Sequence, residues 1–314
     1  MPAINYLCTL KFRYLNALVY YLVLPFIYLI SILPFRVLYA ISDFMYFVLY
    51  RVLGYRKDVV LTNLRNSFPE KSEAEISKIA KDYYKYLCDL FLETFKTLTI
   101  GRKAMLKRCY FSQEALDVFN SLAAQNKSVV LVMGHFGNWE WAGNTFSMQC
   151  KHQLYVIYHP IRNKYFDWLM YRMRTRFGTK LIAMKDTFRE MLENREELNA
   201  TAFIADQTPG PENAYWTNFL NQDTPVFKGT ELIARKINYT VVYAKVKRVK
   251  RGHYEIFAEV LFDNPKGTTD GEISEAHTKK LEQDIIEQPE IWLWSHRRWK
   301  HKRPVSAVKE KVTA

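Results

Sequence analysis

His135 and Glu140 are the two residues whose types and spacing most directly raise a question of chemistry. They lie in the run SVVLVMGHFGNWEWAG, Ser128 to Gly143. A histidine held by a carboxylate is a general base: the carboxylate fixes the tautomer and stabilises the imidazolium that forms. Such a base can take the proton from an attacking hydroxyl without a covalent enzyme intermediate. The chain has no GxSxG elbow, which weighs against a serine hydrolase. Two plainer readings stand beside this one: a structural His–Glu bond in an ordinary strand-to-helix turn, or a two-ligand metal site. A metal is disfavoured because no third ligand stands near in sequence.

Geometry limits how the pair can meet. Five residues along a regular helix turn through ~500°, leaving the two side chains ~140° apart. His135 must therefore sit on a loop and Glu140 in the first turns of the helix that follows. Gly134 and Gly137 permit a sharp turn, and Asn138 suits the N-cap.

The elements that would carry this turn alternate. A helical period starts after Pro69 (Ile76, Ile79, Ala80, Tyr83, Leu87, Leu90, Phe91), reaches about Leu98 and stops at Gly101. A helix at Gln113 to Ala124 leads to strand Val129 to Met133. Helix Trp139 to Met148, strand Leu154 to Tyr158, helix Lys164 to Phe177 and a short strand at Leu181 to Ala183 follow. Next come helix Thr187 to Glu197, strand Thr201 to Ala205 and helix Gly229 to Ile237. Strands Thr240 to Val246 and Tyr254 to Val260 form a hairpin across a basic turn, and the last helix is Ile273 to Ile286. The pattern predicts an α/β domain, a mainly parallel sheet covered by helices with an antiparallel edge. Active sites of such sheets lie beyond the carboxyl ends of the strands.

The 314 residues carry a formal net charge of +13, with 49% hydrophobic and 15% aromatic residues. That composition excludes global disorder and asks for an acidic partner: nucleic acid, an anionic membrane, a phosphorylated substrate or an acidic carrier protein. Cys8, Cys88, Cys109 and Cys150 have no metal-ligand or disulfide-framework spacing.

The N-terminal segment discriminates among these partners. Tyr14 to Phe35 holds 22 residues without a charge, against the ~20 that cross a bilayer as a helix. The alternative is a buried helical hairpin broken at Pro25 and Pro34. The second apolar stretch, Val37 to Tyr50, contains Asp43 and fits an interfacial helix. Arg51, Arg56 and Lys57 then place the rest of the chain in the cytoplasm by the positive-inside tendency. The resulting division is a membrane anchor and interfacial helix over 1–57, an α/β domain over 58–304 and a polar tail over 305–314. Trp292, Trp294 and Trp299 beside arginines would suit a single-stranded nucleic acid, but that leaves the anchor and the His-x4-Glu motif unexplained.

The His-x4-Glu after an apolar strand and a glycine resembles the motif of the bacterial lipid A late acyltransferases, the lauroyl and myristoyl transferases. The likeness extends through YHPIRNKYFDWLMYRMRTRFG (Tyr158 to Gly178), FIADQTPG (Phe203 to Gly210) and TPVFKGTELIARKINYTVVYAKVKR (Thr224 to Arg248). It closes with PEIWLWSHRRWKHKRP, Pro289 to Pro304, and so covers most of the chain.

The resemblance implies an O-acyltransferase of the cell inner membrane. His135 would be the base and Glu140 its orienting carboxylate. Arg174, chosen from Arg172, Arg174 and Arg176, would steady the oxyanion or a phosphate, and Asp206 would help position acceptor or arginine. Asn138, Arg162, Arg172, Arg176, Arg297 and Arg298 are the expected substrate-binding residues. The donor would be a thioester of acyl carrier protein or coenzyme A, with no cofactor and no metal. The acceptor would be a phosphorylated glycolipid, a lipid A precursor. Other acceptors (a phosphoinositide mannoside, a polyene precursor) and a non-catalytic membrane adaptor are the alternatives. The family often has arginine where this chain has His159, and the stretch Glu212 to Asn221 diverges.

Overall fold

The computed structural model describes residues 2–304, with side chains described from Asn16 onward. Helix α1 (Pro2–Ile32) runs through Pro25 and ends before Pro34. Helix α2 (Phe35–Tyr46) continues into a π-helical turn, Phe47–Val52, followed by α3 (Lys57–Ser67). The long α4 (Glu73–Lys96) starts on a capping box, with the Ser72 side chain accepting from the Glu75 amide and the Glu75 carboxylate accepting from the Ser72 amide. After α5 (Arg102–Leu106), β1 (Cys109–Phe111) and α6 (Gln113–Ala124) comes β2 (Val129–Met133). Then α7 (Trp139–Gln149), β3 (Gln153–Tyr158), α8 (Lys164–Thr175), β4 (Lys180–Ala183), α9 (Thr187–Glu193) and β5 (Asn199–Ile204) alternate. The rest is β6 (Ala214–Phe219), β7 (Gln222–Phe227), α10 (Gly229–Ile237), β8 (Thr240–Lys250), β9 (His253–Phe262) and α11 (Glu272–Glu287).

Seven strands form one sheet in the order β1-β9-β8-β2-β5-β3-β4, and only β8 and β9 pair antiparallel. The antiparallel pair is therefore not at the edge as expected: β1 extends the sheet beyond β9. All five residues of β2 are buried, as a strand covered on both faces requires. Leu131 and Met133 pack with Trp141 and Phe146 on one face; Val130 and Val132 pack with Ala234 and Ile273 on the other. The separate hairpin β6–β7 was not anticipated. Its turn residues, Leu220 and Asn221, both take positive φ (50° and 62°), and a leucine there gives no warning in the sequence.

Helix α1 takes in most of the stretch from Tyr14 to Phe35 that was expected to cross a membrane, ending at Ile32. Among the described residues no single helix is long and apolar enough, and the apolar part of α1 is Asn16–Ile32. The bent pair Phe35–Val52 and Lys57–Ser67 has the length and composition, but Val60 and Leu64 of α3 are fully buried in a cluster with Tyr83, Tyr84 and Trp294. What remains exposed is a run of large apolar side chains: Leu18, Leu22, Phe26 and Leu29 at helical spacing on α1, then Phe44, Phe47, Val52 and Leu53. The tail, 305–314, lies outside the described residues.

Candidate active site

Strands β2 and β5 are parallel neighbours with Met133 opposite Ile204. His135 and Asp206 each stand two residues past that register pair, so the sheet delivers them side by side at its carboxyl end. The Ala205 amide donates to the Met133 carbonyl (3.0 Å), which extends the register one step further. His135 Nδ1 lies 2.6 Å from Asp206 Oδ1, and the His135 backbone N–H donates to Asp206 Oδ2 at 2.8 Å. A carboxylate can only accept, so Nδ1 carries the proton and Nε2 keeps its lone pair. Nε2 has a long contact, 3.4 Å, with the Gln207 amide nitrogen. The Trp292 indole N–H also donates to Asp206 Oδ2 (2.8 Å). Burial would raise the Asp206 pKa, but the imidazole, the two His135 hydrogen bonds and the Trp292 indole outweigh it and hold the carboxyl at about 2.

The loop carrying His135 is pinned on all sides. A Cβ at Gly134 would lie 2.7 Å from Leu281 and 3.3 Å from Asp206 Oδ2. Gly137, at φ +62°, would put a Cβ 2.0 Å from the Val246 carbonyl, so only glycine fits. Its carbonyl accepts from the Tyr86 hydroxyl (2.6 Å), and its amide donates to the Ile291 carbonyl (3.0 Å). The Asn138 side chain caps α7 by accepting from the Trp141 amide (2.9 Å), while its Nδ2 donates to Glu93 Oε2 (2.8 Å). Tyr39 and Tyr254 also donate to the Glu93 carboxylate, each at 2.8 Å. Burial, with Asp89 nearby, pushes Glu93 up to about 7 against these hydrogen bonds.

Glu140 does not orient His135. Its first-turn position on α7 aims it at α8, where Arg174 donates through Nε (2.9 Å) and Nη2 (2.5 Å) to the two carboxylate oxygens. The orienting carboxylate is Asp206. Sequence reasoning placed Asp206 at the site as a positioner of acceptor or arginine and not as the partner of His135, because the two residues are 71 apart. The signal available was the equal two-residue offset from the ends of two parallel strands. The Trp139 ring stands edge-on to the His135 ring, centroids 5.0 Å apart. Among the described residues nothing bonds the Arg174 Nη1 group, so its donors remain available beside the Glu140 pair.

The structure separates the other expected site residues. Arg162 and Arg172 line one wide groove between α1 and α8 with Lys164, Tyr28 and Trp168, and Arg172 lies over the Trp168 ring (5.5 Å). Arg176 instead donates to the carbonyls of Thr97 and Ile100, a structural tie. Asn138 is fully buried and committed to α7 and Glu93, which excludes it from substrate contact. Arg297 is exposed, whereas Arg298 is only 2% exposed and lines a cavity beside Asp206. The closing segment, expected to supply substrate-binding arginines, thus turns Arg298 into a wall of the cavity beside Asp206. The basic hairpin turn is largely neutralised within the fold: Lys245 and Lys247 pair with Glu287, and Arg248 and Arg251 with Asp89.

Two apolar spaces flank this catalytic edge. A cleft of ≈ 170 Å³ bounded by Ile157, Met184, Phe203, Phe227 and Ile233 reaches Ala205, next to Asp206. A narrower space of ≈ 40 Å³ lies behind Trp139, floored by Phe111 and Phe146.

Comparison with known proteins gives a concordant result. The model of the family described as bacterial lipid A biosynthesis acyltransferase matches residues 8–301. The chain is 24% identical over 253 residues to the lipid A biosynthesis palmitoleoyltransferase of Escherichia coli K12, covering 80% of each protein. It is 24% identical over 277 residues to the lipid A biosynthesis lauroyltransferase of the same organism, covering 87% of this chain and 89% of that one. To the lipid A biosynthesis myristoyltransferase of E. coli K12 it is 24% identical over 162 residues, 51% and 48% of the two chains.

Proposed function

Since the chain belongs to the bacterial lipid A biosynthesis acyltransferase family and is therefore an O-acyltransferase, we propose that it moves a fatty acyl group from a thioester to a hydroxyl of a lipid A precursor. The observation that carries the mechanism is the His135–Asp206 pair at the carboxyl ends of β2 and β5. His135 Nε2 takes the proton of the acceptor hydroxyl as its oxygen attacks the thioester carbonyl. The negative charge that forms on the carbonyl oxygen meets the unbonded Nη1 donors of Arg174, which Glu140 holds in place. Collapse breaks the carbon–sulfur bond. The imidazolium returns its proton to the departing thiolate, leaving ester, thiol and neutral histidine. Asp206 stays ionised throughout.

The donor is the thioester of acyl carrier protein or coenzyme A, and its chain occupies one of the two apolar spaces beside the site. The acceptor is a phosphorylated glycolipid, and Arg162, Lys164 and Arg172 supply cations for its phosphate in the groove beside α1. The exposed apolar side chains of α1 and of Phe44 to Leu53 form a surface suited to the interior of a bilayer. Their opposite face is tied to the catalytic domain, with Tyr20 and Ile27 packed on Leu169 and Met173 of α8. This arrangement supports a protein seated in the inner membrane, its site opening to the cytoplasmic surface.

The test is mass spectrometry of lipid A from cells lacking the protein. One acyl chain should be missing, restored by the wild-type gene and not by His135→Ala. An unaltered acylation pattern would overturn the assignment of the acceptor.

A further inference from the structure

Beside Asp206 lies a small cavity, with Val132, Met133 and Ala205 forming part of its wall. It is lined by His277, Thr278 and Leu281 of α11, Tyr243 of β8, Phe219, and Arg298 of the closing segment. It holds ≈ 10 Å³ of free space, about one water-sized sphere. Three buried polar atoms have no partner among the described residues at this place: Arg298 Nε, Arg298 Nη1 and His277 Nε2. Arg298 is fixed there by its backbone, since its carbonyl accepts from the Thr208 hydroxyl (2.7 Å), two residues after Asp206.

A buried guanidinium without hydrogen bonds is costly, and arginine does not escape the cost by losing its proton in the working pH range. Burial lowers the Arg298 pKa to about 10, and the opposing charge that acts against this is Asp206. The other titratable groups facing Asp206 carry little charge near neutrality. Burial takes His277 down to about 4 and also lowers His296, while Tyr243 is pushed far up and donates to Asp284 (2.6 Å). The fixed charges around Asp206 are thus the Arg298 guanidinium and whatever proton His135 acquires.

We propose that Arg298 is a positioning residue for acyl transfer: bridged by one buried water, its guanidinium holds Asp206 as a carboxylate and limits how readily His135 retains a proton. The inference rests on His135 acting as the base. A one-water space bounded by orphaned donors and the catalytic carboxylate is what a bridging water requires, namely room and two to four polar partners. The sign follows from electrostatics. Removing a positive charge beside Asp206 leaves the protonated imidazole better stabilised, so the base is idle over a wider range of low pH. At an effective dielectric of ~20, a unit charge ~8 Å away corresponds to a shift of about 1.5 pH units.

The experiment is the pH dependence of acyl transfer by the full chain in detergent, with acyl carrier protein thioester and a phosphorylated, acylated disaccharide. In Arg298→Met the acid limb should move up by about 1.5 units, giving about thirtyfold less activity below the limb and nearly wild-type rates well above it. Arg298→Lys keeps the charge and should restore the limb to within ~0.3 unit. A uniform loss at every pH in both variants marks a merely structural role and overturns the proposal, and so does an unchanged profile. Wild-type enzyme inactive with these substrates would count against the proposed reaction instead. In that event, or if Arg298→Met does not fold, a high-resolution crystal structure of the wild-type protein decides. Ordered water bonded to both Arg298 and Asp206 supports the bridge; a guanidinium turned to other partners refutes it.

Discussion

Replacing Asp206 by asparagine changes one atom in size and shape and reverses the logic of the site. Asp206 Oδ2 accepts two N–H donors, from the His135 backbone and the Trp292 indole, while Oδ1 accepts from His135 Nδ1. An asparagine must keep its carbonyl oxygen toward the two fixed donors. Its NH₂ then faces Nδ1, which has to become an acceptor, and the imidazole proton moves to Nε2. The ring would present a donor to the acceptor hydroxyl where the reaction needs a base. The lost electrostatic contribution can be sized from the carboxyl itself, held at about 2 where an ordinary aspartate titrates near 3.8. At 1.36 kcal/mol per unit this is about 2 kcal/mol, or on the order of fiftyfold. The wrong tautomer adds to it, and in a comparable histidine–aspartate pair the combined loss is about 10⁴. Asp206→Asn should therefore lower kcat by about 10² to 10⁴ while changing the KM for acceptor less than about threefold. Steady-state transfer assays on detergent-purified protein, with circular dichroism to check folding, measure both. A variant that folds and retains a third of wild-type kcat would refute the reasoning.

Other expected outcomes concern the groups around this pair. Arg174→Lys keeps the charge but loses the two-pronged bond to Glu140, and the single ammonium cannot at once hold Glu140 and meet the carbonyl oxygen. It should cost about 10²-fold in kcat, within the range seen on removing one oxyanion donor, and equal rates for the two proteins would exclude the assigned role. Glu93, pushed up to about 7 from 4.5, favours folding in its protonated form. Its contribution is complete below about pH 4.5 and is lost as pH rises through about 7, amounting to about 3 kcal/mol. Glu93→Gln cannot titrate, so its stability relative to wild type, followed by chemical denaturation, should rise by that amount between pH 5 and pH 8. A constant difference across that range would show that Glu93 is not held protonated.

The alternation of elements was legible because the strands and helices of the catalytic domain follow their hydrophobic periods closely: β2, α6 and α10 have the bounds that their patterns give. His135 was legible because a glycine after an apolar strand marks a loop at a sheet edge. Its carboxylate partner was not, since local spacing favours Glu140 and only the register of β2 against β5 brings Asp206 forward. The arginines show the same limit. Sequence alone treats Arg162, Arg172, Arg176 and Arg298 as one class of cation. Burial divides them into groove, helix-end tie and cavity wall. The apolar N-terminal run was read by length as a crossing helix; α1 packs Tyr20 and Ile27 on α8 and leaves Leu18, Leu22, Phe26 and Leu29 outward, a division that length alone does not give.

The most direct measurement is the mass of the acceptor lipid after incubation with an acyl thioester and purified enzyme, wild type against His135→Ala. Wild type should add one acyl group, and the variant, folded and still bound to vesicles, should add none above the background without enzyme. Transfer by His135→Ala at the wild-type rate would contradict the account.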